Sequence, residues 1–433
     1  MSTPSGAETI FIRGGRVIDP AHGRDETADL LLVDGVIQAV GRLEFTAPCR
    51  IIEAEGLVVA PGLVDMHVHL REPGQEYKED IASGTRAAAA GGVTSVACMP
   101  NTQPVADDLS VIGYIQERAR QTGVVRVFPV GAITKGLQGQ VLTEMGLLQR
   151  AGCVAFSDDG RPVSDSAVMR KALEYARMFD ALLIQHAEEP SLSGNGCMHE
   201  GVVSTRLGLA GIPSAAESVM VDRDIRLVAL TGGRYHVAHV STREAVEAVR
   251  RARQERLPVS CEVTPHHFSL TDEAVIGYDT DAKMSPPLRG GVDRQAVLDG
   301  LAQGVITVIA TDHAPHDEEN KRVEFCRAAN GVIGLETMLP VTLELVRDGV
   351  MSLSACLAAM SYHPARLLGI PHGTLAVGAA ADVVLFDPEE SWTVDARQMR
   401  SKSKNSCFHG RRVKGRVKQT IVGGRIVYTD EGR

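Results

Sequence analysis

His67 and His69 stand one residue apart in VDMHVHLREPG, residues 64–74. Along an extended strand, i and i+2 project to the same side. Two imidazoles at that spacing can offer nitrogens to one metal ion. Other residues suited to the same chemistry are dispersed. They are Asp158 and Asp159 in AFSDDG, His186 in QHAEE, His239 in HVAHVST, and Asp312, His313 and His316 in ATDHAPH. Imidazole and carboxylate are ligands of zinc and similar divalent ions. The four histidines His67, His69, His186 and His239 with two of the aspartates exceed what one catalytic zinc takes. Two ions sharing a bridging carboxylate would use them all, with a water or hydroxide between them. Each feature alone has a plainer reading. A single buried histidine is more often a hydrogen-bonded core residue, Asp-Asp-Gly is most often a turn, and Asp-His can sit in a solvated loop. Only the placement of all of them together decides.

The elements that must position them are legible. The middle of the chain alternates strand-like apolar runs with helix-like segments. The runs are LVVAPGLVDMHVHL, GVTSVACMP, VRVFPVGAIT, AGCVAFSDDG, ALLIQHAEE, YHVAHVS, PVSCEVTPHH and GVITVIATDHAPH. Segments such as SAVMRKALEYARMFD and TREAVEAVRRARQERL carry the 3.6-residue period of helices. Repeated strand–helix units imply parallel strands with helical crossovers. Eight such runs favour an α/β fold of the (β/α)8 TIM-barrel type over an open sheet. No G-x-G-x-x-G or G-x-x-x-x-G-K-[ST] turn supports the open-sheet alternative. In nearly every run the polar residues come at the C-terminal end, and in a barrel those ends gather at the face that carries active sites. The paired His266-His267 after run seven read as supporting or structural histidines. Both ends of the chain are instead rich in short strands and turns. Residues 1–58 and 371–433 are therefore expected to build one small composite β-domain, with the barrel over 59–370.

Composition narrows the function classes. A chain of 433 residues with 44% hydrophobic residues can bury a large core. Its net charge of −9 argues against a general nucleic-acid binder. No apolar run approaches the roughly 20 residues that span a bilayer. The N-terminal MSTPSGAETIFIRGG lacks a basic start followed by an apolar core, so no signal peptide is expected. The eight cysteines include no C-x-x-C pair and read as reduced thiols of a cytoplasmic protein. The late stretch RSKSKNSCFHGRRVKGRVK is locally basic; a solvated loop and strand face is the expectation, and a docking surface the alternative.

Taken together, VDMHVHLREPG, AAAAGGVTSVACMPNTQP, AFSDDG, QHAEE, HVAHVST, CEVTPHH and ATDHAPH resemble the dihydroorotases of the amidohydrolase superfamily, in their longer bacterial type I form. The resemblance covers nearly the whole chain, and the pairing of HVHLREPG with MPNT is its most specific part. It implies that His67, His69 and Asp312 bind one metal ion and His186 and His239 a second, zinc in both cases. Many relatives bridge the ions with a carboxylated lysine on the fourth strand. Run four has none, and the type I pattern places an aspartate there, with the spacing favouring Asp159 over Asp158. Arg71, Asn101 and His316 match positions that hold the substrate's carboxylate. Arginine presents a planar fork to a carboxylate, and Arg71 would stay on the pocket side if the strand continued extended past His69. The implied reaction is the reversible interconversion of N-carbamoyl-L-aspartate and L-dihydroorotate in pyrimidine synthesis. A metal-bridged hydroxide is the implied nucleophile and Asp312 the general acid and base.

Two departures from the family pattern bear on the substrate. Ser285 stands in KMSPPLR where relatives usually have asparagine, and Asn330-Gly331 stands where many have Phe-Gly. All three residues are expected near the substrate. The alternatives are another cyclic amidase, hydantoinase-like or allantoinase-like, and an inactive scaffold for aspartate transcarbamoylase. Scaffold relatives typically lose metal ligands, and here every ligand position is filled. The resemblance also leaves room for a homodimer and for an active enzyme bound to aspartate transcarbamoylase.

Overall fold

The computed structural model describes residues 9–432, so most of the N-terminal stretch bearing on a signal peptide lies outside the described residues. Eight strands form a parallel sheet in chain order: β1 (Leu63–Val68), β2 (Val93–Cys98), β3 (Arg126–Gly131), β4 (Ala155–Ser157), β5 (Leu182–Gln185), β6 (Arg234–Val237), β7 (Val259–Val263) and β8 (Val308–Ile309). The sheet closes through a parallel bridge between Val68 and His313, where His69 N–H donates to His313 O at 2.9 Å. The expected barrel is therefore present. Its interior is an apolar cluster that includes Val64, Met66, Ala97, Val130, Ala155, Ile184, Ala238 and Val308.

The helices form for local reasons and pack for tertiary ones. Asp80 caps the helix Ile81–Ala90 by accepting from Ser83 N–H at 2.7 Å. The helix Arg243–Gln254 buries Ala245, Val246, Ala248, Val249 and Ala252, one face at helical spacing. These faces join the large core cluster outside the barrel strands.

A second sheet of eight strands draws on both ends of the chain. Ile10–Asp19 pairs with Arg24–Val33, and Val58–Pro61 lies between Ile10–Asp19 and the C-terminal strand Val383–Thr393. It has its own core, including Ile12, Leu30, Leu32, Val59, Val383 and Leu385. The first apolar run of the barrel thus divides. Val58–Pro61 belongs to this sheet and Leu63–Val68 to the barrel. Gly62 permits the break, because a Cβ there would lie 2.2 Å from the Thr94 side chain. Among the described residues no helix is long and apolar enough to cross a membrane.

Candidate metal and substrate site

Simple alternation along β1 would put His67 on the face opposite Val64 and Met66, which line the barrel interior. A β-bulge resolves this. Asp65 pairs with Val96 and Val68 with Cys98, so β1 carries one extra residue against β2. The bulge turns His67 and His69 inward at the barrel mouth, a use of bulges common beside active sites. Asp65 holds it, accepting from His67 N–H at 3.2 Å and from Thr311 N–H at 3.1 Å.

The Asp159 carboxylate lies among four histidines. Its Oδ1 is 3.3 Å from His67 Nε2, 3.9 Å from His186 Nδ1 and 3.7 Å from His239 Nε2, and its Oδ2 is 3.4 Å from His69 Nε2. Asp312 Oδ1 is 3.0 Å from His69 Nε2 and 3.5 Å from His67 Nε2. His186 Nδ1 and His239 Nε2 face each other at 3.0 Å. Asp158 turns the other way and accepts from Thr134 N–H at 2.9 Å. The backbone is strained where it presents these groups: His239 has φ +32°, Asp312 φ +47° and Arg71 φ +60°. Glu217 holds the turn after His239 by accepting from Ser241 N–H at 3.0 Å and Thr242 N–H at 2.9 Å.

These residues fit a cation. His67 Nε2 and Asp159 Oδ1 are buried with no hydrogen-bond partner, a costly state for polar atoms. Two sets, His67–Asp159–His239 and His67–His69–Asp312, each bring three ligand atoms within 4.8 Å of one another. Burial acts to lower the His67 imidazole, but Asp159, Glu262 and Asp312 outweigh it and raise it. A bound cation would neutralise the same three carboxylates.

Beside this cluster lies a buried cationic group, Arg71. The strand does not continue to Arg71, whose left-handed backbone turns the chain. Its side chain is nonetheless buried at 8% exposure, with Nε donating to Pro315 O at 3.2 Å and Nη2 3.3 Å from His316 Nε2. Burial lowers the guanidinium to about 10, which leaves it charged at neutral pH. Burial, then Arg71, pushes His316 down to about 2, so that imidazole is neutral. Asn101 Oδ1 accepts from His69 Nδ1 at 2.9 Å and its Nδ2 donates to Asp159 O at 3.4 Å, so Asn101 orients a histidine. Ser285 is half-buried and its hydroxyl donates to Glu188 at 3.2 Å. Asn330 is exposed at the rim. Gly331 is buried at φ +123°, and a Cβ there would meet Ala314 Cβ at 2.6 Å. His267 is structural, holding Pro286 O at 2.9 Å through Nε2.

Two contributors escape a reading of the sequence. Glu262 on β7 contacts His67 Nδ1 at 2.6 Å. Its only signal is a carboxylate inside an apolar run. Asn405, from the basic C-terminal stretch, is 4% exposed. Its Oδ1 accepts from His316 N–H at 3.1 Å, and its Nδ2 donates to Ala314 O at 3.1 Å and Gly331 O at 3.0 Å. The expected solvated loop is thus, over Ser401, Ser403, Asn405 and Ser406, a buried strap behind the pocket.

The chain matches known families and proteins over nearly its whole length. The family described as Dihydro-orotase-like matches residues 56–245, and the Amidohydrolase family matches residues 206–428. The chain is 55% identical to the dihydroorotase of Syntrophotalea carbinolica over 97% of this chain and 99% of that one. It is 53% identical to the dihydroorotase of Geobacter metallireducens over the same shares, 97% and 99%. Among solved structures it is similar to the L-hydantoinase (dihydropyrimidinase) of Arthrobacter aurescens, at 26% identity and TM-score 0.88, covering 98% of this chain and 97% of that one. It is also similar to the dihydropyrimidinase of Brevibacillus agri NCHU1002, at 26% identity and TM-score 0.86, covering 98% and 95%.

Proposed function

Because the chain belongs to the dihydroorotase family of amidohydrolases, a family of cyclic-amide hydrolases, we propose that it interconverts N-carbamoyl-L-aspartate and L-dihydroorotate in pyrimidine synthesis. The observation that carries this reading is the buried Arg71–His316 pair beside the His/Asp cluster. Dihydroorotate differs from dihydrouracil by one carboxylate, and a buried guanidinium next to a neutral imidazole is built to receive that group.

The family and the donor set make metal dependence part of the reading. His67, His69 and Asp312 would hold one zinc ion and His186 and His239 another, with Asp159 between them. When bound there, such ions would supply an acidified water near neutral pH and would polarise the scissile carbonyl. The chain's own residues do the rest. Arg71, Asn101 and His316 hold the substrate carboxylate and so orient the ring amide toward Asp312. Oδ1 of Asp312 faces His69 and His67, which leaves Oδ2 to carry a proton. In ring opening, Asp312 takes the proton of the attacking water as the new C–O bond forms. It delivers that proton to the ring nitrogen as the C–N bond breaks. The nitrogen leaves as the ureido NH2, and the carbonyl carbon becomes a carboxylic acid that releases the water's second proton to solvent and ends as a carboxylate. Ring closure runs the same steps backward. Ser285 and the Asn330-Gly331 turn shape the rim of the pocket.

Around this site the division into a barrel and a β-domain from both ends of the chain is supported by their separate apolar cores, and with Val59 in the β-domain core the first boundary is read after Pro61 rather than at 58. A cytoplasmic location fits free cysteines, most of them buried. Assembly as a homodimer, or with aspartate transcarbamoylase, is tested by light scattering of the protein alone and mixed with a transcarbamoylase.

The discriminating experiment compares L-dihydroorotate with 5,6-dihydrouracil, the same ring without the carboxylate. The expected result is a kcat/KM at least about a hundredfold higher for dihydroorotate, the scale of losing one charge-assisted hydrogen bond of about 3 kcal/mol. Equal or reversed preference would move the chain to the dihydropyrimidinase reading that its structural neighbours' names suggest.

A further inference from the structure

The barrel interior is apolar in a ring around β7. The other seven strands, or their immediate continuations, each give residues to the interior cluster, and β7 gives none. At the matching positions β7 carries Ser260 and Glu262, and neighbouring β6 carries His236. Glu262 and His236 are fully buried. Four side chains form a continuous line. Ser260 Oγ is 2.7 Å from His236 Nδ1, His236 Nε2 is 3.3 Å from Glu262 Oε2, and Glu262 Oε1 is 2.6 Å from His67 Nδ1.

With a metal ion bound at the site, the chemistry of the groups assigns the protons in this line. An ionised carboxylate only accepts. Both imidazole nitrogens that face Glu262 therefore carry hydrogens. With its proton on Nε2, His236 accepts at Nδ1 from the Ser260 hydroxyl. With its proton on Nδ1, His67 has Nε2 left to face Asp159 and Asp312. That is the buried nitrogen that has no hydrogen-bond partner. A charged carboxylate has been placed where an apolar side chain would pack, and at the site it contacts His67 Nδ1 directly.

We infer that Glu262, held by His236 and Ser260, is a positioning residue that fixes His67 with Nε2 bare toward the metal site and thereby sets metal affinity. This rests on the reading of His67 as a metal ligand, and the test separates the two. Full-length wild-type and Glu262→Gln proteins are stripped of metal and titrated with zinc against a competing chelator. Glutamine keeps the volume but loses the charge, and it turns an amide NH2 donor toward one of the two histidines. The expected result is about 10- to 100-fold weaker zinc binding in the variant, the scale measured for partners of metal-bound histidines. Equal zinc affinity in the two proteins overturns the inference and leaves the metal site standing. Failure of the wild type to bind zinc overturns the underlying reading instead. Should Glu262→Gln fail to fold, the wild type loaded with cadmium-113 decides. A cadmium-coupled histidine must show a slowly exchanging, strongly hydrogen-bonded N–H on its other ring nitrogen with a neighbouring glutamate; a cadmium-coupled His67 without that N–H refutes the inference.

Discussion

Replacing Arg71 by lysine tests the substrate pocket with the least disturbance elsewhere. The positive charge is kept. The backbone at φ +60° costs lysine no more than arginine, because both carry an ordinary Cβ. What changes is the donor geometry. The Arg71 Nε is committed to Pro315 O and Nη2 lies against His316, so the outer edge of the guanidinium remains for a carboxylate. A lysine ammonium that reaches Pro315 or His316 has no fixed second donor for that carboxylate. Losing one charge-assisted hydrogen bond in a buried pocket costs about 1.5–3 kcal/mol. That raises KM for dihydroorotate about 10- to 150-fold. Turnover should stay within about threefold, since Asp312 and the metal ligands are untouched. The assay is steady-state ring opening over a range of dihydroorotate, with metal content determined on the same sample. Dihydrouracil, which has no carboxylate, is the internal control, and its kcat/KM should not change. An unchanged KM for dihydroorotate at full metal content, or an equal loss with dihydrouracil, would refute the assignment.

Other perturbations probe other parts. Asp312→Asn should lose about a hundredfold to ten-thousandfold in turnover; near-normal rates in a metal-replete variant would remove Asp312 from proton transfer. Asn405→Ala frees His316 N–H and two carbonyls, and KM should rise about tenfold, or roughly 1.4 kcal/mol, with kcat nearly constant. A lowered Tm with unchanged KM would make the strap a matter of stability alone. The joint between the barrel and the β-sheet should show in acid. Burial raises the Asp382 carboxyl, but His372 and Arg126 outweigh it and hold it at about 2, against an ordinary 3.8. A folded-state value below the unfolded one gives stability that is present above about 3.8 and is lost as pH falls toward 2, about 2 kcal/mol in all. Urea melts of Asp382→Asn should show a flatter pH dependence in that window, and an unchanged slope would contradict the role of the ion pair.

Much of this was legible because barrel strands are short apolar runs that end in polar residues. His67, His69, Asp159, His186, His239 and Asp312 all stand at or just past such ends, and the fold brings them within a few ångströms of one another. Local alternation was less dependable. The bulge in β1 and the turn at Arg71 both break the extended chain, and neither leaves a sequence signature, because a bulge depends on the partner strand. Glu262 was hidden for a different reason. A single acid in a β-run looks like an outward-facing residue until the pairing fixes its face. Asn405 was hidden by distance and by its charged neighbours. Its partner His316 lies 89 positions away. The lysines around it suggested a solvated face, yet Lys404 spends its ammonium on Met399 O and Ser401 O, at 2.6 and 2.7 Å. Charge in a sequence marks the head of a side chain, and the polar residues between such heads can be fully buried.

The central claim is metal-dependent chemistry on a carboxylated cyclic amide. It is tested most directly by incubating the purified protein with L-dihydroorotate, and separately with N-carbamoyl-L-aspartate, and measuring metal content on the same sample. The expected result is interconversion in both directions, close to two divalent ions per chain, and loss of both activity and metal on chelation. A fully metal-loaded protein that leaves both compounds unchanged would contradict it.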